Sequence, residues 1–160
     1  MAKSTGGKTV IDMLNEARAS ELTAILQYMA QHYELDDADF GKLAKFLKAT
    51  GIDEMKHAEA LAERILFLGG TPTSKPDGVA KKGEKIADLL ATDIGLETGA
   101  VKMYNEFAVA CGEARDHVSK ELFERLLAEE EAHLDAFQNT QDHVKKLGDA
   151  YLATLTGAGE

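Results

Sequence analysis

The stretch Asp53-Glu54-Met55-Lys56-His57-Ala58-Glu59 contains a Glu-x-x-His pair, Glu54 with His57. On a helix, residues three apart share one face with Cβ atoms roughly 5–6 Å apart, so a carboxylate and an imidazole can grip the same cation. A charged helix yields one such pair by chance. This chain has a second, Glu130-Glu131-Ala132-His133, and a Glu stands thirty-three residues before each: Glu21 before Glu54, Glu97 before Glu130.

The rest of the composition agrees with helix. Ala, Leu, Glu and Lys dominate the 160 residues, Trp is absent, and the two prolines, Pro72 and Pro76, fall in one place. The length suits one domain, residues 1–160, with a core large enough to need no disulfide. Cys111 is the sole cysteine, which excludes an internal disulfide framework or a thiolate zinc site. A net charge of −10 argues against nucleic-acid binding, which requires clustered Lys and Arg. Neither a leader-like apolar stretch nor a run long enough to span a membrane is evident. A soluble protein of a reducing cytoplasm is expected.

Residues 1–8 read as a flexible start, and Thr9 as the cap of a first helix over about 10–34, with Leu14, Ala17, Glu21, Ala24 and Tyr28 on one face. A second helix restarts near Asp39 and turns Leu43, Leu47, Thr50, Glu54, His57, Leu61 and Ile65 inward, with Gly51 a weak point of about 1 kcal/mol. Gly69-Gly70-Thr71-Pro72 ends it. The segment 69–83 is long enough to cross a bundle from end to end. A third helix over about 84–112 presents Leu90, Asp93, Glu97, Ala100, Tyr104 and Cys111. A fourth presents Phe123, Leu126, Glu130, His133 and Phe137. Gly148 breaks it, Tyr151, Leu152 and Leu155 suggest a short fifth helix, and 156–160 form a tail. The expected fold is all-α: a four-helix bundle with a long crossover between helices 2 and 3.

An offset of 76 residues superposes the unusual positions: Glu21 on Glu97, Tyr28 on Tyr104, Glu54 on Glu130 and His57 on His133. Few other residues match, so a shared geometric constraint explains the pattern better than a recent duplication. Two antiparallel hairpins would bring four carboxylates and two imidazoles together. Four ionised carboxylates in an apolar core are prohibitive without partners, whereas two divalent cations neutralise them. Carboxylate with imidazole suits Fe or Mn, with Zn or Co able to take the same ligands. This ligand set is the one known from ferritin-like di-iron and di-manganese bundles, so it is matched here and not deduced afresh. Glu129 and Glu131 are expected in solvent, as are His32, His117 and His143.

From about Thr9 to Leu155 the chain resembles the bacterioferritins, through Glu21 with Gln27-Tyr28, residues 53–59, Glu63 to Leu68, Asp93 to Glu97, and Glu130 to Asp135. The resemblance implies that Glu54 and Glu130 bridge two irons, Glu21 and His57 completing one site, Glu97 and His133 the other. It implies oxidation of Fe(II) by oxygen or peroxide and storage of ferric mineral. The container would be a shell of 24 subunits built from two-fold dimers, and a ferredoxin-type electron donor is a further implied partner. Tyr28 is open between two readings: a hydrogen-bond donor or electron source behind the ligands, and an aromatic core filler.

Met55 points about 100° away from Glu54, along an outer stripe with Ile52, Ala62 and Leu66. It reads either as packing in a dimer interface or, by the resemblance, as an axial ligand of haem b shared across a two-fold axis. Some bacterioferritins place a His just before the Asp-Glu-Met stretch for an inner-surface iron site. Ala49, Thr50 and Gly51 stand there in this chain, which argues against such a site. A competing function is a di-iron or di-manganese oxidoreductase of peroxidase type without mineral storage. The absence of paired Cys-x-x-Cys motifs counts against a rubrerythrin-like form of it.

Overall fold

The structure, a computed structural model, describes residues 7–159. Four long helices form two hairpins, α1 (Val10–Asp37) with α2 (Gly41–Phe67) and α3 (Ile86–Glu113) with α4 (His117–Leu147), and a short α5 (Asp149–Thr154) follows. The expected fifth helix is present, and the expected loose start falls mostly outside the described residues. Among the described residues no helix is long and apolar enough to cross a membrane.

The start of α1 is fixed by chemistry close at hand. Thr9 Oγ1 accepts from the Asp12 backbone N–H, and Asp12 Oδ2 accepts from the Thr9 N–H at 2.8 Å, a reciprocal capping box. The sequence pattern places the end of α1 near Glu34, but the helix continues to Asp37, because the acidic run that resembles a connection is still hydrogen-bonded as helix.

The two hairpin turns are the same turn. In the first, Asp39 takes a left-handed φ of 61° and the Phe40 N–H reaches back to Leu35 O at 2.9 Å. In the second, Arg115 takes a φ of 58° and the Asp116 N–H reaches back to Cys111 O at 2.9 Å. These pairs are again 76 residues apart. Left-handed backbone costs a side chain such as Arg roughly 1–2 kcal/mol, so the turn geometry is imposed by how the helices pack.

Between the hairpins, residues 68–85 run against the outer edge of α1, which holds them through polar side chains along one side of the helix. Asn15 Nδ2 donates to Thr71 O and Asn15 Oδ1 accepts from the Thr73 N–H. Thr23 Oγ1 accepts from the Asp77 and Gly78 N–H groups, both at 3.0 Å. The Gln27 amide exchanges two hydrogen bonds with the Lys81 backbone. The crossover thus has no secondary structure, and α1 side chains take the place of a ladder partner for part of its backbone.

Two apolar clusters fill the bundle. One gathers Met13, Leu14, Ala17, Leu61, Ile65, Tyr104, Phe107, Phe123 and Leu126; the other gathers Ala24, Tyr28, Leu43, Leu47, Leu89, Leu90 and Phe137. Each fully buried Leu or Phe contributes about 1.5–3 kcal/mol. Between the two clusters lies a polar layer.

Candidate metal centre

Every long helix contributes to this layer at the same height. Glu21 stands between Ala17 and Ala24 on α1, and Glu54 with His57 between Leu47 and Leu61 on α2. On α3, Glu97 stands between Leu90 and Tyr104. On α4, Glu130 and His133 stand between Leu126 and Phe137. Five of the six side chains are buried, and His133 retains 14% of its side-chain exposure. The sequence-expected residues are therefore all brought together.

They fall into two overlapping groups. Glu21, Glu54, His57 and Glu130 form one, and Glu54, Glu97, Glu130 and His133 the other, with one donor atom from each residue lying within 4.8 Å of the rest. His57 Nδ1 lies 2.9 Å from Glu130 Oε1, 2.9 Å from Glu54 Oε2 and 3.5 Å from Glu21 Oε1. His133 Nδ1 lies 3.1 Å from Glu54 Oε1, 3.6 Å from Glu130 Oε2 and 3.8 Å from Glu97 Oε2. The two rings are near-parallel, with centroids 5.9 Å apart.

The residues fit a pair of divalent cations. Both oxygens of Glu54, Oε2 of Glu97 and Nδ1 of His133 are buried without a hydrogen-bond partner. Orphaned buried groups of this kind are costly, and all of these face the interior of the cluster. Oxygen and imidazole donors, four of them able to carry charge, are the chemistry such cations require.

The electrostatics show what the cluster does when no cation balances it. Burial, then the charges of Glu54 and Glu130, push the Glu21 carboxyl well above the usual range. Burial and the contact with Glu130 push Glu97 up to about 12. Burial also acts against Glu130, but hydrogen bonds from His133 and His57 outweigh it and lower its pKa. For the histidines burial disfavours charge, yet the surrounding carboxylates prevail: His57 is raised strongly, and His133 to about 10. Glu21, Glu97, Glu130 and the two imidazoles therefore share protons where cations would sit.

A further set of side chains supports the ligands. Tyr28 Oη on α1 donates to Glu97 Oε1 on α3, and Tyr104 Oη on α3 donates to Glu21 Oε1 on α1. Burial, then the charges of the neighbouring carboxylates, raises the pKa of both hydroxyls and keeps them as donors. Tyr28 thus meets a ligand candidate, and Tyr104 does the same although the sequence reading assigned it no role. The 76-residue offset that pairs the two tyrosines was the signal available for it.

Glu129 is exposed as expected, its side chain 48% accessible, and its Oε2 nonetheless lies 2.7 Å from His57 Nε2. One expectation needs correction: His32 was expected on the surface. It is half-buried, with Nδ1 2.8 Å from Ala44 O, because the α1–α2 packing covers that side of α1. His117 and His143 are exposed as expected.

One turn before Glu97, Asp93 is fully buried beside Gln31, and no side-chain polar atom of either makes a well-formed hydrogen bond. Burial pushes Asp93 up to about 8, with Gln31 offsetting part of the effect. On the outer side of α2, Met55 is 56% exposed, with Ile52 and Leu66 exposed along the same helix. A thioether so placed suits a group lying outside the subunit.

Comparison with known proteins adds to this geometry. The Ferritin family, described as a ferritin-like domain, matches residues 11–147. A bacterioferritin from Desulfovibrio desulfuricans is 47% identical over 92% of this chain and 83% of its own length. One from Brucella melitensis is 35% identical over 96% and 95%. Among solved structures, the D. desulfuricans bacterioferritin, with its diiron site in different catalytic states, aligns with a TM-score of 0.92 at 46% identity, covering 94% of this chain and 89% of that one. The Mycobacterium tuberculosis bacterioferritin BfrA aligns with a TM-score of 0.90 at 32% identity, covering 98% of each chain.

Proposed function

The chain belongs to the bacterioferritin family of ferritin-like proteins, and on that premise we propose that it is an iron-storage protein whose central cluster oxidises Fe(II). The observation that carries this reading is the sharing of Glu54 and Glu130 between two four-residue groups. Six side chains can give each of two cations four ligand residues only if two of them serve both.

In this reading Glu21 and His57 complete one site, Glu97 and His133 the other, and Glu54 with Glu130 lies between. Two Fe(II) substrates supply one electron each, enough to take oxygen to the peroxide level or hydrogen peroxide to water. The chain's own part is to bind and to orient. Glu21, Glu97, His57 and His133 surrender protons as the cations arrive. Tyr28 and Tyr104 each hold one oxygen of a terminal carboxylate, leaving Glu97 Oε2 free to bind. The apolar clusters above and below keep bulk water away from the layer.

The oxidised iron is stored as ferric mineral inside a shell of 24 copies in the cytoplasm, with a ferredoxin-type donor returning electrons for release. Met55 from each of two copies would hold haem b, which would supply an electron-transfer group at that interface. Its exposed thioether on the outer side of α2 supports this.

The test is aerobic Fe(II) oxidation by the purified particle, with its mass and iron content. Oxidation well above the uncatalysed rate, lost in Glu54→Ala and in Glu130→Ala, is expected in a particle of several hundred kilodaltons that fills with iron. Variants as fast as the parent would overturn the ferroxidase assignment. A monomer or dimer that oxidises iron without storing it would favour the peroxidase-type reading. A Soret band after haem addition, lost in Met55→Leu, would establish the haem site.

A further inference from the structure

The 76-residue offset that superposes the ligands and the two tyrosines fails at one corner of the bundle. Three residues after Tyr104 stands Phe107, and four before Glu21 stands Ala17; the matching places beside Tyr28 and Glu97 hold Gln31 and Asp93. Phe107 and Ala17 belong to an apolar cluster. Gln31 and Asp93 are as deeply buried, with 1% and 0% exposure, yet none of their four side-chain polar atoms makes a well-formed hydrogen bond.

Such a corner is costly. Polar atoms buried without partners oppose folding, and apolar side chains of similar size would pack there without that penalty. The opposite corner shows that the bundle accepts the apolar solution at the same place relative to a tyrosine and a glutamate. What sets the polar corner apart is its neighbour. Gln31 lies one turn from Tyr28 on α1, Asp93 one turn from Glu97 on α3, and the charge of Asp93, when ionised, acts on the Tyr28 hydroxyl. That hydroxyl spends its one proton on Glu97 and keeps lone pairs with which to accept. The Gln31 amide has N–H donors, and Asp93, mostly in its acid form at neutral pH, has an O–H donor. A hydroxyl that sits among donors itself donates more strongly.

We propose that Gln31 and Asp93 are positioning residues that act through Tyr28, giving its hydroxyl a polar surround so that it holds Glu97 more firmly than Tyr104 holds Glu21. Neither belongs to the groups that would bind cations. The two halves of the cluster, alike in their ligands, then differ in what supports them. The half completed by Glu97 and His133 depends on a polar corner that the half completed by Glu21 and His57 lacks.

This role rests on the two-cation reading, which Co(II) tests separately. Metal-free protein is titrated with Co(II) and followed by visible d–d absorption, which reports ligand geometry. Failure of the parent to bind two Co(II) per chain would refute the two-cation reading itself. If it binds two, Gln31→Phe with Asp93→Ala, which copies the apolar corner into the polar one, should weaken one Co(II) by about 10-fold and leave the other. The same two substitutions should add nothing in a Tyr28→Phe background and act in full in a Tyr104→Phe background. The near-isosteric Gln31→Met with Asp93→Leu should behave alike, so that the test stands if the larger change does not fold. Asp93→Asn, which keeps a donor, should bind like the parent.

Both apolar pairs should be at least as stable as the parent in urea, because they remove unpartnered polar atoms from the core. A weaker metal site in a chain of undiminished stability is not what lost packing gives. Equal Co(II) affinity in the parent and the apolar variants would overturn the proposal. So would a loss spread over both halves, or one that persists in the Tyr28→Phe background.

Discussion

The hydroxyl of Tyr104 on α3 donates to the carboxylate of Glu21 on α1. Its counterpart, Tyr28 on α1, donates to Glu97 on α3. Each terminal carboxylate is thus held by a side chain from the opposite hairpin. The equivalence predicts that Tyr104→Phe and Tyr28→Phe each slow aerobic Fe(II) oxidation by about 10-fold, because a loosened carboxylate binds cation less well. Stopped-flow rates decide it. A Tyr104→Phe protein at the parent rate would reduce that tyrosine to core packing.

The proton-sharing cluster sets the pH dependence of the metal-free fold. Glu21, Glu97, His57 and His133 all have raised pKa values in the folded chain. The folded state then binds more protons than the unfolded one, so stability declines as pH rises, for His133 from the ordinary 6.5 toward about 10. Asp12 and Asp116, whose pKa values are lowered, act in the opposite sense, but only as pH falls below the carboxylate range. The Tm of metal-free protein should fall between pH 6 and 9, and saturating Co(II) should remove or reverse the slope. Calorimetry across that range checks both; a Tm that rises with pH without metal would contradict the cluster's electrostatics.

Asp93 allows a separate check away from the ligands. With its pKa raised to about 8 by burial, it is mostly uncharged at neutral pH and must ionise in the core as pH rises. Asp93→Asn is nearly isosteric and never ionises. It should change stability little near pH 4, where Asp93 is protonated in both states, and make the protein increasingly more stable than the parent as pH rises to about 8, a gain still present at pH 9.5. Equal stability at the higher pH would show that Asp93 ionises without cost.

Thr23 is the midpoint of the seam between α1 and the crossover. Its Oγ1 accepts from two backbone N–H groups, those of Asp77 and Gly78. Thr23→Val keeps the shape and removes the acceptor, which should cost about 1–3 kcal/mol in urea unfolding. Amide exchange at Asp77 and Gly78 should accelerate while exchange in α3 and α4 does not.

The six central residues are legible in the sequence because two constraints coincide. Each falls on an apolar stripe where charge is anomalous, and each has a partner at the same offset. The helices follow from their periodicity for the same reason: Leu14, Ala17, Leu61, Ile65, Leu90 and Phe123 are all buried as expected. Features set by reach and packing are harder to read. Glu129 lies off the stripe, yet three rotatable bonds bring its carboxylate to His57, which helical register does not describe. The left-handed Arg115 carries no local signal, since Arg has no preference for that backbone and the packing of α3 on α4 imposes it. The seating of the crossover on Asn15, Thr23 and Gln27 depends on pairs of residues 54 to 58 apart, for which one sequence offers no pattern.

The crossing of the supports between hairpins also bears on the order of events as the chain is made. The first hairpin, 10–67, carries Glu21, Glu54 and His57 and leaves the ribosome before the second. At that moment it has no Tyr104 to hold Glu21, no Glu129 beside His57, and no Glu130 to close the group. A half-made chain is therefore a poor trap for iron. Capture must wait for the second hairpin to dock, so a nascent subunit is guarded against loading before its fold is complete.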